Sequence, residues 1–192
     1  MTDTPPVDET LAAAFAEAMT SGELAGLKPR FEAIDTSVPE VRWSPAADGL
    51  EEPVLRTLLA YWQGLPAGPR APLAAGVNPL EMREALGFVM LMDAVDGGRD
   101  WRYRVYGTGI AARSGFDATG RLVTDAPFAP LTEFFLASYR ACAARVEPVF
   151  IRHAPPVRVH VVSWDRVILP LDDGEGGIAR LLVGNVPRGR RE

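Results

Sequence analysis

The segment 86–108, LGFVMLMDAVDGGRDWRYRVYGT, limits what this chain can fold into more than any other stretch. Two runs rich in β-branched, aromatic and other apolar residues flank the five-residue turn DGGRD, which is a β-hairpin signature. Alternation along the second arm puts Trp101, Tyr103 and Val105 on one face and Arg102, Arg104 and Tyr106 on the other. An antiparallel sheet therefore lies at the centre of the fold, and the remaining elements have to cover it.

Directly after the hairpin, Gly107-x-Gly109-x-x-Ala112 has the outline of a dinucleotide fingerprint. Such a loop needs a parallel β-α-β unit, a helix of several turns and an acidic residue about twenty positions on. Here the preceding strand is the second arm of a hairpin, and only about six helical residues precede Gly115. The expectation is that Gly107 and Gly109 serve the chain's exit from a strand into a short helix, not a cofactor.

The rest of the chain reads in order. Residues 1–10 read as disordered, 9–20 as a helix with Leu11, Phe15 and Met19 on a narrow stripe, and the stretch to Gly49 as irregular connection. Residues 51–64 form a helix with Leu55, Leu58, Leu59 and Trp62 on one face, closed by Gly64 and Pro66. A short helix is expected at 79–86. After the hairpin come a short helix at 110–114, a polar turn, and a longer helix at 131–145 with Leu131, Phe135, Tyr139 and Cys142 in a stripe. Three strands end the chain: PVFIRH, VRVHVVSWDRVILPL and ARLLVGNV.

Bulk properties exclude several classes. Twenty basic and twenty-five acidic residues are well mixed, for a net charge of −5. That distribution lacks the basic stripe nucleic-acid binding requires, and the tail RGRRE reads as a solvated end. The longest apolar run is too short for a membrane span, and MTDTPPVDET is no secretory signal, so the chain reads as cytoplasmic. One lysine, Lys28, among the basic residues and abundant alanine point to a GC-rich bacterial source. The single cysteine, Cys142, excludes an intramolecular disulfide. It lies near a helix C-terminus with no cation to activate it, and reads as a small buried hydrophobe.

Several short motifs together resemble the PAS domain. They are Tyr61-Trp62, Asn78-Pro79, Leu91-Met92-Asp93 and Asp100-Trp101-Arg102-Tyr103-Arg104 running into Gly107-Thr108. Gly115, Thr119-Gly120-Arg121, Glu147-Pro148 and Arg166-Val167-Ile168-Leu169-Pro170-Leu171 continue the pattern. The chain looks most like the bacterial family of small proteins that carry one PAS domain and little else. The resemblance implies an α+β fold: a five-stranded antiparallel sheet with helices on one face, a small apolar pocket between them, and a helical N-terminal extension. It divides the chain into an extension at 1–50, a PAS-like domain at 51–187 and a basic tail at 188–192. It implies a sensory or regulatory module without its own effector domain, acting through a small, mostly apolar ligand or a signalling partner.

The pocket expected on this reading is lined by Met90, Met92, Tyr103, Val105, Phe135 and Tyr139, with a filled core as the alternative. On the sheet's outer face Val89 and Leu91 need a cover, which the helix 54–62, next the helix that carries Leu11, Phe15 and Met19, or a second subunit would provide. Arg104 points to that face, either paired with a carboxylate or at a homodimer interface. No cofactor is indicated. The long helix holds no histidine where histidine-ligated haem PAS domains place theirs, and His153 and His160 fall in strands. The Asn-Cys-Arg-Phe run of flavin photosensors is absent. No catalytic motif or metal cluster occurs, and Asp172-Asp173 reads as a turn. An NTF2-like small-molecule enzyme and a purely structural dimerisation domain are the alternatives to the sensory reading.

Overall fold

The hairpin forms as strands β2 (Val89–Val95) and β3 (Asp100–Tyr106), joined by a turn in which Gly97 and Gly98 both take positive φ. The computed structural model of the chain describes residues 6–155 and 161–189. Helices α1 (Glu9–Ser21), α2 (Lys28–Glu32) and α3 (Pro53–Gln63) precede the hairpin, with strand β1 (Glu40–Trp43) between α2 and α3. Helices α4 (Thr108–Ser114) and α5 (Thr132–Arg145) follow it, and strands β4 (Val149–His153), β5 (Ser163–Asp172) and β6 (Ile178–Arg188) complete the sheet. The strand order is β1-β4-β5-β6-β2-β3, and every ladder is antiparallel.

The fold is α+β. Strands β2–β6 form the five-stranded antiparallel sheet expected from the sequence, with α4 and α5 inserted between its second and third strands. Three features differ from the expectation. A sixth strand, β1, pairs with β4 at the edge. It lies in a stretch read as irregular connection, which also holds α2; four residues are too few to establish a period. The segment at 79–86 forms a 3-10 turn at Pro79–Met82 and leads into a second at Leu86–Phe88, in place of one helix. Both faces of the sheet are covered, not one. His160 and the start of the strand expected from Val157 lie outside the described residues.

Strand alternation divides the interior into two cores. On the inner face Met90, Met92, Trp101, Tyr103, Ile151, Ile168, Leu181 and Val183 meet α5, which is itself packed under α1. On the outer face Val89, Phe150, Val167, Leu169 and Leu182 meet Leu55, Leu58 and Leu59 of α3. Layering explains why nearly every side of α5 is buried: Phe135, Tyr139 and Cys142 share its apolar stripe, while Phe134 meets Phe15 of α1 and Phe31 of α2 edge-on. Asp8 caps α1 by accepting the Leu11 amide at 3.0 Å. Helix α3 sits so close that a Cβ on Gly184 would approach Leu55 Cδ2 to 2.6 Å. Trp62 anchors the same helix by donating to the Pro170 carbonyl at 2.7 Å. No helix among the described residues is long and apolar enough to cross a membrane.

Gly107 and Gly109 serve close packing. A Cβ on Gly107 would lie 2.5 Å from the Gly87 carbonyl oxygen, and one on Gly109 would lie 2.8 Å from the same atom. Their small size lets α4 nest against the 3-10 turn that leads into β2.

Candidate functional site

A cavity of about 270 Å³ opens between the inner face of the sheet, α4, the start of α5 and the segment connecting the two helices. Its walls are largely aromatic. Phe128, from the connecting segment, sits among Tyr103, Phe116 and Phe135 at ring-centroid distances of 5.3–5.7 Å. Tyr106 stacks on Phe116 at 5.9 Å, and Ile110 and Leu131 add aliphatic surface.

The sheet contributes the polar wall. Arg166, on β5, is only 4% exposed, and its guanidinium stacks over Phe135 at 4.4 Å. Its Nε donates to Asn185 Oδ1 at 3.1 Å, and its Nη1 donates to the Tyr139 hydroxyl at 3.3 Å. The Tyr139 and Tyr103 hydroxyls are 3.3 Å apart, so a short polar chain runs from the cavity into the core. His153, 4% exposed, packs edge-on against Phe135 at 5.1 Å, and its Nδ1 is buried with no hydrogen-bond partner among the described residues. Burial, with the Arg166 charge adding to it, holds the His153 imidazole well below its ordinary pKa, so it is neutral. Burial pushes the Tyr106 phenol up to about 12, against the opposing effect of its hydrogen bond to Ser114. Polar groups converging in an apolar concavity are the general form of a small-ligand site.

Of the six residues expected to line a pocket, Phe135 lines this cavity. Tyr103 and Tyr139 stand behind the polar wall, linked to Arg166. Met90 and Met92 are fully buried core residues that pair with Val183 and Leu181 of β6, short of Asn185, the β6 residue that reaches the cavity. Val105 points outward and is 37% exposed. The register explains it: Met92 pairs with Tyr103 and Leu91 with Val105, so Arg104 is an extra residue in a β-bulge. The bulge reverses the alternation, and Tyr106 takes the inward position instead.

On the outer face, Val89 is buried under the α3 cluster and Leu91 is partly covered by it. Arg104 donates to Asp93 at 2.8 Å, and Asp93 also accepts from Arg180 at 2.9 Å. Cys142 is fully buried, and burial raises its thiol pKa, which keeps it protonated. Asp172 anchors the β5–β6 turn by accepting the Gly174 amide at 2.7 Å and the Arg70 amide at 3.1 Å. Among the described residues no three His, Cys, Asp or Glu side chains converge on a metal site.

Sequence reasoning missed Arg166, Asn185 and the aromatic residues of 116–128. A signal for the first was present: alternation puts Arg166 on the same face as Trp164 and Ile168, where an arginine between apolar residues is out of place. A larger concavity of about 830 Å³ lies by the β2–β3 turn, but half of its lining residues are charged. Arg140 there is already paired with Glu9 at 2.7 Å and bonded to the Arg99 carbonyl.

No protein-family profile matches the chain, and no curated protein matches it in sequence. Among solved structures it is similar to an RNA-binding Light-Oxygen-Voltage receptor, with a TM-score of 0.44 and 14% identity. The match covers 94% of this chain and 55% of that one, so the chain spans about half the length of the receptor. RNA binding is a property of that protein, and a likeness of this degree carries no argument about this chain's function.

Proposed function

We propose that this chain is a sensory or regulatory module of PAS type that holds a small, mostly apolar ligand in the cavity beneath α4 and α5 and relays its presence to a partner protein. The observation that carries this reading is the cavity itself: aromatic walls on the helical side facing Arg166, Asn185 and His153 on the sheet. Its volume is just under the usual range of about 300–1,000 Å³ for ligand pockets, which fits a molecule of one or two rings. The reading assigns the protein no chemical step of its own.

A thermal-shift screen of one- and two-ring fragments tests it. Ligand at about a hundredfold its Kd is expected to raise the melting temperature of the wild type by about 5–10 °C. Ser114→Phe, which projects a ring into the cavity from α4, is expected to fold and to lose that response. A screen with no stabilising fragment, or with fragments that stabilise both proteins equally, would contradict the reading.

A further inference from the structure

Two consecutive residues of β5 carry charge into the interior, and among the described residues only one of them meets an opposite charge. Asp165 is fully buried toward the outer face, where Arg152 grips it with Nε at 2.7 Å and Nη2 at 2.8 Å. Arg188 adds a third contact at 3.4 Å. Arg166 turns to the inner face and is equally enclosed, yet among the described residues it pairs with no carboxylate. The five residues that follow Pro155, PVRVH, contain no carboxylate either. A guanidinium remains charged at any pH a protein meets, and a buried charge without a counter-charge is costly.

We propose that the ligand supplies the missing counter-charge: it is a monocarboxylate on a flat apolar body of one or two rings. This rests on the cavity's being a ligand site, and adds the chemistry of what fills it. Arg166 uses Nε and Nη1 on Asn185 and Tyr139, which leaves Nη2 without a hydrogen bond among the described residues. Asn185 presents its oxygen to Arg166, so its other end, Nδ2, is a donor, and it too makes no hydrogen bond among the described residues. One positive charge and two unused donors match the two oxygens of a carboxylate.

The alternatives fit less well. A phosphate dianion would find one cation where it needs more, and a neutral apolar molecule would leave Arg166 unneutralised. The rings of Tyr106, Phe116, Phe128 and Phe135 favour a planar body. The asparagine and tyrosine contacts hold the guanidinium in place before the ligand arrives, so that little ordering remains to be done on binding.

The test titrates the full chain with benzoate, phenylacetate and 3-phenylpropionate, and with their amides, by calorimetry at pH 7.5. At least one acid is expected to bind, at least tenfold more tightly than its amide, and Arg166→Gln is expected to remove that preference. A second variant guards against misfolding: Asn185→Asp places a carboxylate beside Arg166, and is expected to melt at a higher temperature while weakening the acid at least tenfold. An amide that binds as tightly as its acid would overturn the carboxylate inference and leave the cavity reading standing. So would acids that bind Asn185→Asp undiminished, or failure of every acid while neutral fragments still stabilise the protein. Failure of every acid, amide and fragment would remove both.

Discussion

At the scale of single residues, the inner face of β4 and β5 is polar where the pattern around it is apolar. His153 and Arg166 occupy strand positions whose neighbours on the same face, Ile151 and Ile168, are fully enclosed core. Local patterning places both residues inward, but only three-dimensional packing shows that no acid among the described residues comes to meet them. The neutral His153 has a consequence for stability. Its folded-state pKa lies well below the unfolded value near 6.5, so the unfolded chain binds the proton first as pH falls. Stability from this group is therefore complete above about pH 6.5 and declines below it, by up to about 1.4 kcal/mol per pH unit. Urea unfolding of wild type and His153→Gln between pH 5 and 8 checks the sign. The stability difference between the two is expected to shift against the wild type as pH falls, and a pH-independent difference would refute the assignment.

At the scale of elements, the hairpin, the long helix and the last two strands were legible because each repeats its pattern over seven residues or more. What was not legible turned on single residues. One extra residue at Arg104 exchanges the roles of Val105 and Tyr106, and nothing in an alternating run announces a bulge. Two rings of the aromatic wall, Phe116 and Phe128, come from a segment that has no period, so their approach to α5 is set by tertiary packing alone. The glycines after β3 make the same point from the other side: a motif outline shared with cofactor loops here permits contact between α4 and the turn before β2. Gly107→Ala is expected to destabilise the fold by about 3 kcal/mol, since the added methyl meets backbone at Gly87 rather than a movable side chain. Gly115→Ala, with positive φ but open space around it, is expected to cost only about 1 kcal/mol. Denaturant midpoints of the two variants decide this, and equal losses would show that the close approach at Gly87 is not limiting.

At the scale of the whole molecule, the sheet is a divider. Helix α3 closes its outer face, while α5 and α1 close its inner face in two layers, so the apolar outer positions find their cover within the chain. Residues from the first fifty take part in this: Phe15 and Phe31 are core, and Trp43 donates to the Met19 carbonyl at 3.0 Å. Packing leaves a cavity where the helical segment bridges the open ends of β4, β5 and β6. If that cavity is a ligand site, the purified protein carries its ligand, and native mass spectrometry reads this without a screen. Excess mass that leaves on denaturation is expected, matching a small acid of one or two rings, with reduced occupancy in Ser114→Phe. A protein that carries no extra mass, and gains none when offered the acids and fragments described above, would contradict the ligand-site reading.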